Sequence, residues 1–169
     1  MTEPDLPATE PETEPALTPV EPGYRTVLRI QWAMLTLPLA IGAIVIDVLI
    51  LRRNDLPWGF LSVAVVLLAL LTITVTANRQ HSRWGYRLGE DDLRVARGYA
   101  FHTDTLVPFV RVQHIDVGQG PVERMCGVAH LVVHTAGTHN SIVTLPGLTR
   151  ATAEAMRDSI RRHIQTDFA

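Results

Sequence analysis

Along this chain the apolar positions first run together without interruption and only later alternate with polar ones. Two unbroken apolar runs, Ile30 to Leu51 and Leu56 to Ala77, stand back to back with only Arg52-Arg53-Asn54-Asp55 between them. Each is long enough to cross a bilayer as a helix, because about 20 residues rising roughly 1.5 Å apiece cover the ~30 Å hydrocarbon core. The first run carries one charge, Asp47, and the second carries none. A core helix of a water-soluble domain of that length would show a polar face, so the pattern predicts two membrane spans. The short connection turns them back on each other as an antiparallel hairpin, which puts both chain ends on one side of the membrane.

From Trp84 onward the period changes to two. Tyr86 to Leu88 and Leu93 to Arg97, parted by Gly89-Glu90-Asp91, predict a β-hairpin. Phe101 to Pro108 and Val110 to Val117 predict two more strands, the second with Val112 and His114 on one face and Arg111, Gln113 and Ile115 on the other. Pro121 introduces a short helical stretch, Val122 to Met125, and two strands follow, Leu131 to Thr135 and Ile142 to Leu145. After Gly147 the period lengthens again. Thr149 is placed to cap a helix in which Met156, Ile160 and Ile164 recur every four residues. Some six or seven short antiparallel strands closed by one amphipathic helix make a small barrel or a pair of bent sheets. The predicted organisation is therefore an arm over residues 1–24, a transmembrane hairpin over 25–83 and a mainly β domain over 84–169.

Charge adds an orientation. Residues 1–22 hold six acids, six prolines and no basic residue, a composition that cannot bury enough apolar area to order itself, so the arm is expected to be disordered. It also lacks the positive start of a cleavable signal. Arg25, Arg29, Arg79 and Arg83 flank the hairpin on the side of the chain ends, with Arg87 slightly beyond, against Arg52 and Arg53 in the loop. Acidic residues count little in this balance, so both termini are expected to be cytoplasmic. Trp32 and Trp58 lie near helix ends, where an amphipathic ring favours the headgroup level. Arg79, Arg83, Arg87 and Trp84 are the candidate contacts with the membrane surface and with anionic headgroups. The lone Cys126 cannot form an intramolecular disulfide, which suits a reducing compartment.

Few residues suggest chemistry. Pro38, Gly42 and Ala43 offer a bend and a close-packing face on the first helix. Asp47, an acid at membrane depth, leaves two readings open: a proton or ion site, or a structural carboxylate near the interface paired with Arg52. Cys126, His130, His134 and His139 have the ligand types of a zinc site. Yet His130 and His134 lie four residues apart on a strand, roughly 13 Å at ~3.3 Å per residue, too far to share one ion. Gly118-Gln119-Gly120-Pro121 lacks the Lys-Ser/Thr of a phosphate loop, and no nucleophile elbow, paired-carboxylate arrangement or nucleotide fingerprint is present. No catalytic residue, cofactor, metal or nucleic-acid partner is expected.

The stretch Trp84-Gly-Tyr-Arg-Leu, the run from Val107 through Arg111 and Gln119 to Pro121 and Gly127, and Leu131-Val-Val-His-Thr-Ala-Gly resemble the bacterial pleckstrin-homology (PH) domain proteins of the YdbS-like group. The resemblance covers residues 25–165. It implies two membrane helices followed by a PH-like split barrel with a C-terminal helix, and no known catalytic activity. Two functional classes stay open. One is a membrane-tethered interaction or scaffolding module that assembles with itself or another membrane protein. The other is a subunit of a membrane transport or envelope-stress resistance system, which would need oligomers or a partner because two helices enclose no pathway.

Overall fold

The computed structural model describes residues 16–51, 59–98, 102–136 and 141–167. The loop Arg52–Asp55, Trp58, His139 and residues 1–15 of the acidic arm lie outside the described residues. The chain enters as a two-residue strand β1 (Thr18–Pro19) and continues as α1 (Pro22–Ile46), which ends in a π-helical turn (Asp47–Leu51). It returns as α2 (Phe60–Ser82). The domain follows as β2 (Gly85–Leu88), β3 (Asp92–Gly98), β4 (His102–Pro108), a 3₁₀ turn (Phe109–Arg111), β5 (Val112–Gly118), α3 (Pro121–Met125), β6 (Ala129–Thr135), β7 (Ile142–Leu148) and α4 (Arg150–Asp167). Two antiparallel sheets result, β1-β2-β3-β4 and β5-β6-β7, with α4 packed on the second. This is the hairpin followed by a PH-like split barrel with a C-terminal helix.

Nearly every large apolar side chain on α1 beyond Trp32 and on α2 before Thr76 is exposed, including Leu35, Leu39, Leu67 and Leu71. A water-soluble protein would not tolerate two such sleeves, and lipid accepts them because a helix satisfies its own backbone. The faces the two helices turn toward each other are small or polar. Ala33, Thr36, Ala40, Ala43 and Asp47 on α1 are the more buried positions, as are Ser62, Val65, Ala69, Thr72 and Thr76 on α2. Their alternating spacing of three and four is the seam of two antiparallel helices in close approach.

The hairpin and the β domain are not separate bodies, and here the structure corrects the expected boundaries. The arm was expected to run to residue 24 and the domain to begin at Trp84. Instead Thr18 and Pro19 pair with Tyr86 and Gly85, and α1 begins at Pro22. Val20, Tyr24, Val27 and Leu28, together with Ala77 of α2, belong to the same apolar core as Leu93, Leu131, Leu145 and Ile160. The physical reason is a short amphipathic turn. Tyr24, Val27 and Leu28 stand at i, i+3 and i+4, and Pro22 at the first helical position needs no N–H partner. Similarly, α2 runs on past Ala77 to Ser82 before β2 begins.

One strand face also departs from the pattern. Val112 does face the core, but the register shifts between Val112 and His114. Beyond this bulge Ile115 and Val117 lie opposite the buried Val133 and Leu131, and His114 turns out to solvent. A bulge adds one residue to a strand and so exchanges its faces. The rest of the pattern holds. Thr149 Oγ1 accepts the N–H of Thr152 at 3.0 Å and caps α4, whose Ala153, Met156 and Ile160 are buried with Ile164 at the edge. Gly127, at φ +70°, ends α3 in the left-handed conformation that glycine adopts without strain.

Candidate functional site: the hairpin and its seat on the domain

Asp47 is 2% exposed and sits where α1 passes into the π turn. Its Oδ2 accepts the N–H of Gly59 at 2.9 Å, the N–H of Ser62 at 3.2 Å and the hydroxyl of Ser62 at 2.5 Å. Gly59 is the residue before the first turn of α2 and has no side chain with which to cap it. Ser62 stands at the third helical position, the N–H that a capping oxygen ordinarily takes. Asp47 therefore caps the second helix from the end of the first, and its charge meets the positive end of the α2 dipole. Oδ1 has no hydrogen-bond partner among the described residues. The geometry places Asp47 as a cap at the start of α2.

Gly42 and Ala43 do not share one role. Ala43 borders the seam, whereas a Cβ built on Gly42 meets nothing within 4 Å, so Gly42 is not where α1 and α2 approach each other. At 100° per residue, Leu35, Pro38 and Ile46 lie within about 40° of Gly42 around the helix, on the side away from α2. That face carries a shallow notch in an otherwise large-residue surface.

At the base of the hairpin, polar side chains tie the helices to each other and to the domain. Arg29 donates to Asn78 Oδ1 (3.3 Å), Trp32 Nε1 to Gln80 Oε1 (3.4 Å), and the buried His81 lies 3.1 Å from the Glu21 carbonyl through Nε2. The Glu21 N–H donates to the Gly147 carbonyl at 2.7 Å. Gly147 has φ +71°, and a Cβ there would stand 2.8 Å from that of Tyr24. Trp84 packs edge-on against Tyr24 with ring centroids 6.2 Å apart. Trp84 is thus half-buried in the junction, and Arg87 is half-buried on β2, while Arg79 and Arg83 are exposed at the end of α2. The Tyr86 hydroxyl is held above its ordinary range, first by burial and then by the nearby Glu21.

The residues with zinc-like chemistry are dispersed. His130 Nδ1 pairs with the Glu123 carboxylate at 2.8 Å, and that carboxylate also accepts the Gly120 N–H at 2.7 Å. His134 faces Asp116 at 3.5 Å on the outer side of the sheet, where His114 pairs with the same carboxylate at 2.8 Å. The bulge that turned His114 outward made this cluster, which alternation did not foresee. Among the described residues no group of three or more His, Cys, Asp and Glu is disposed to hold a metal ion. A second arrangement the sequence did not disclose is a cleft between the end of β5, α3 and the first two turns of α4 that brings Arg124, Arg150 and Arg157 together.

The family model described as bacterial PH domain matches residues 31–164, which take in most of the hairpin as well as β2 to β7 and most of α4. The chain is similar to the UPF0699 transmembrane protein YdbS of Bacillus subtilis (strain 168), with 34% identity over 104 residues, 62% of this chain and 64% of that relative. The match thus spans less than two thirds of the relative's length. No solved structure matches the chain.

Proposed function

Because the chain belongs to the bacterial PH domain family, a membership that points to a non-catalytic membrane protein, we propose that it is a membrane-anchored interaction module that works by assembly and turns over no substrate. The observation that carries this reading is the outer face of α1. Gly42 lies there with open space around it, flanked by exposed apolar residues, and small residues let a second helix approach closely in lipid. The rigid seat of α1 in the β core means that whatever docks on the hairpin is held in fixed relation to the domain. Asp47 supports the same reading from the other side. Its Oδ2 is engaged in capping α2, which favours a structural role for this acid over a transport role.

Gly42→Leu is expected to reduce co-purification of the full chain with a second tagged copy or with a membrane partner several-fold. The seam faces α2 on the opposite side, so the fold should be retained. Equal recovery of partners by Gly42→Leu and the unaltered chain would count against this face.

The domain is proposed to lie on the cytoplasmic side, as the arginines at the base of the hairpin favour. Single cysteines at Asn54 and Asn140 in a Cys126→Ala background, treated in intact cells with an impermeant thiol reagent, test it. Asn54 should label and Asn140 should not, and the reverse pattern would invert the topology.

A further inference from the structure

We propose that the cleft holding Arg124, Arg150 and Arg157 is a binding site for a phosphate-bearing anion, placed at the end of the domain nearest the bilayer. The cleft has a volume of about 340 Å³ and is floored by Gly118 and Gln119. Three arginines and one acid, Glu154, line it. That carboxylate engages Arg150 at 2.9 Å, and Arg157 is engaged by Asp158 at 2.9 Å. Both pairs lie at the surface, where such contacts hold a side chain weakly and yield to a better acceptor. The Arg124 side chain makes no hydrogen bond or ion pair with any described residue, so its guanidinium is available to a ligand. Arginine presents its N–H donors as a planar fork that matches two oxygens of a phosphate, and three forks around one cleft suit a tetrahedral anion rather than a lone carboxylate. The first turns of α4, an 18-residue helix, add the positive end of its dipole to the same side.

The position gives the site its meaning. Gly118 pairs with His130, and Ala129 with Leu148, at one end of the second sheet. That is the end on which α1 is seated, through Glu21 on Gly147 and through Gly23, whose Cβ would come within 2.5 Å of the Cys126 carbonyl. From Tyr24 the helix needs only about six residues, roughly 9 Å of rise, to reach the apolar run that begins at Ile30. The cleft is therefore within reach of a headgroup, while remaining open to a soluble phosphate ester. This inference stands apart from the assembly of the hairpin and survives its failure.

The test uses the full chain in nanodiscs and follows the thermal unfolding midpoint in two arms. In one, neutral phosphatidylcholine discs are titrated with glycerol 3-phosphate at constant ionic strength. In the other, phosphatidylglycerol is doped into the discs and no soluble anion is added. The unaltered chain should be stabilised saturably in at least one arm, and the responding arm identifies the source. Arg124→Gln and Arg157→Gln should each weaken the half-saturating concentration about tenfold or more, whereas Arg161→Gln, toward the other end of α4, should leave it unchanged. Absence of saturable stabilisation in both arms would overturn the site, as would an equal loss with Arg161→Gln, which would mark a diffuse charge effect.

Discussion

Ile160→Ala is expected to cost the folded protein about 2 to 4 kcal/mol, the range for removing a large aliphatic side chain from a core that cannot collapse around the loss. Ile160 is fully buried on α4 between Met156 and Ile164 and belongs to the core that also contains Leu131, Val133 and Leu145. Little around it can move, because the sheet beneath is fixed by its own ladder and α4 is fixed at its start by the Thr149 cap. Ile164→Ala, at the partly buried edge of the same stripe, should cost distinctly less. The measurement is chemical unfolding of the full chain in detergent micelles, followed by near-ultraviolet circular dichroism. The full chain is required because Val20, Tyr24, Val27 and Leu28 complete the core, and a fragment beginning at Trp84 would lack them. An unchanged midpoint would mean that α4 does not close the barrel.

Asp47→Ala should lower the stability of the hairpin by about 1 to 3 kcal/mol. That figure combines a lost helix cap with N–H donors left unpaired near the membrane interface. Asp47→Asn should keep most of the stability, because an amide oxygen can still accept from Gly59 and Ser62. Unfolding of the two variants in mixed micelles separates the roles. A structural cap predicts that Asn resembles the unaltered residue. An ion or proton site predicts that Asn fails as badly as Ala and abolishes a flux across the membrane.

What the sequence disclosed and what it hid follow from the range of the interactions. The spans were legible because lipid demands long apolar runs, which nothing else in the chain imitates. The strands and α4 were legible because one buried face imposes period two or about four over consecutive residues. The seat of α1 was encoded locally, in Tyr24, Val27 and Leu28 after Pro22, but the acidic, proline-rich residues before it masked so short a stripe. The bulge after Val112 was not legible, since it follows from how β5 and β6 pair and not from the polarity of either strand. The partners of Asp47 lie 12 and 15 residues away, beyond the loop, so the acid read as a lone charge in an apolar run. The arginine cleft joins α3 to α4 across two strands, and only the spacing of Arg150 and Arg157 on one helix face hinted at it.

The central claim is that the outer face of α1 is where this protein meets its partner, and photocrosslinking in native membranes tests it most directly. A photoreactive residue in place of Ile46, beside Gly42, replaces one large exposed side chain by another. It should yield a discrete adduct, either with a second copy or with one membrane protein. The same residue in place of Leu67, exposed on the far side of α2, should yield none. Adducts at neither position, from a chain that also migrates as a monomer with nothing bound, would contradict the account.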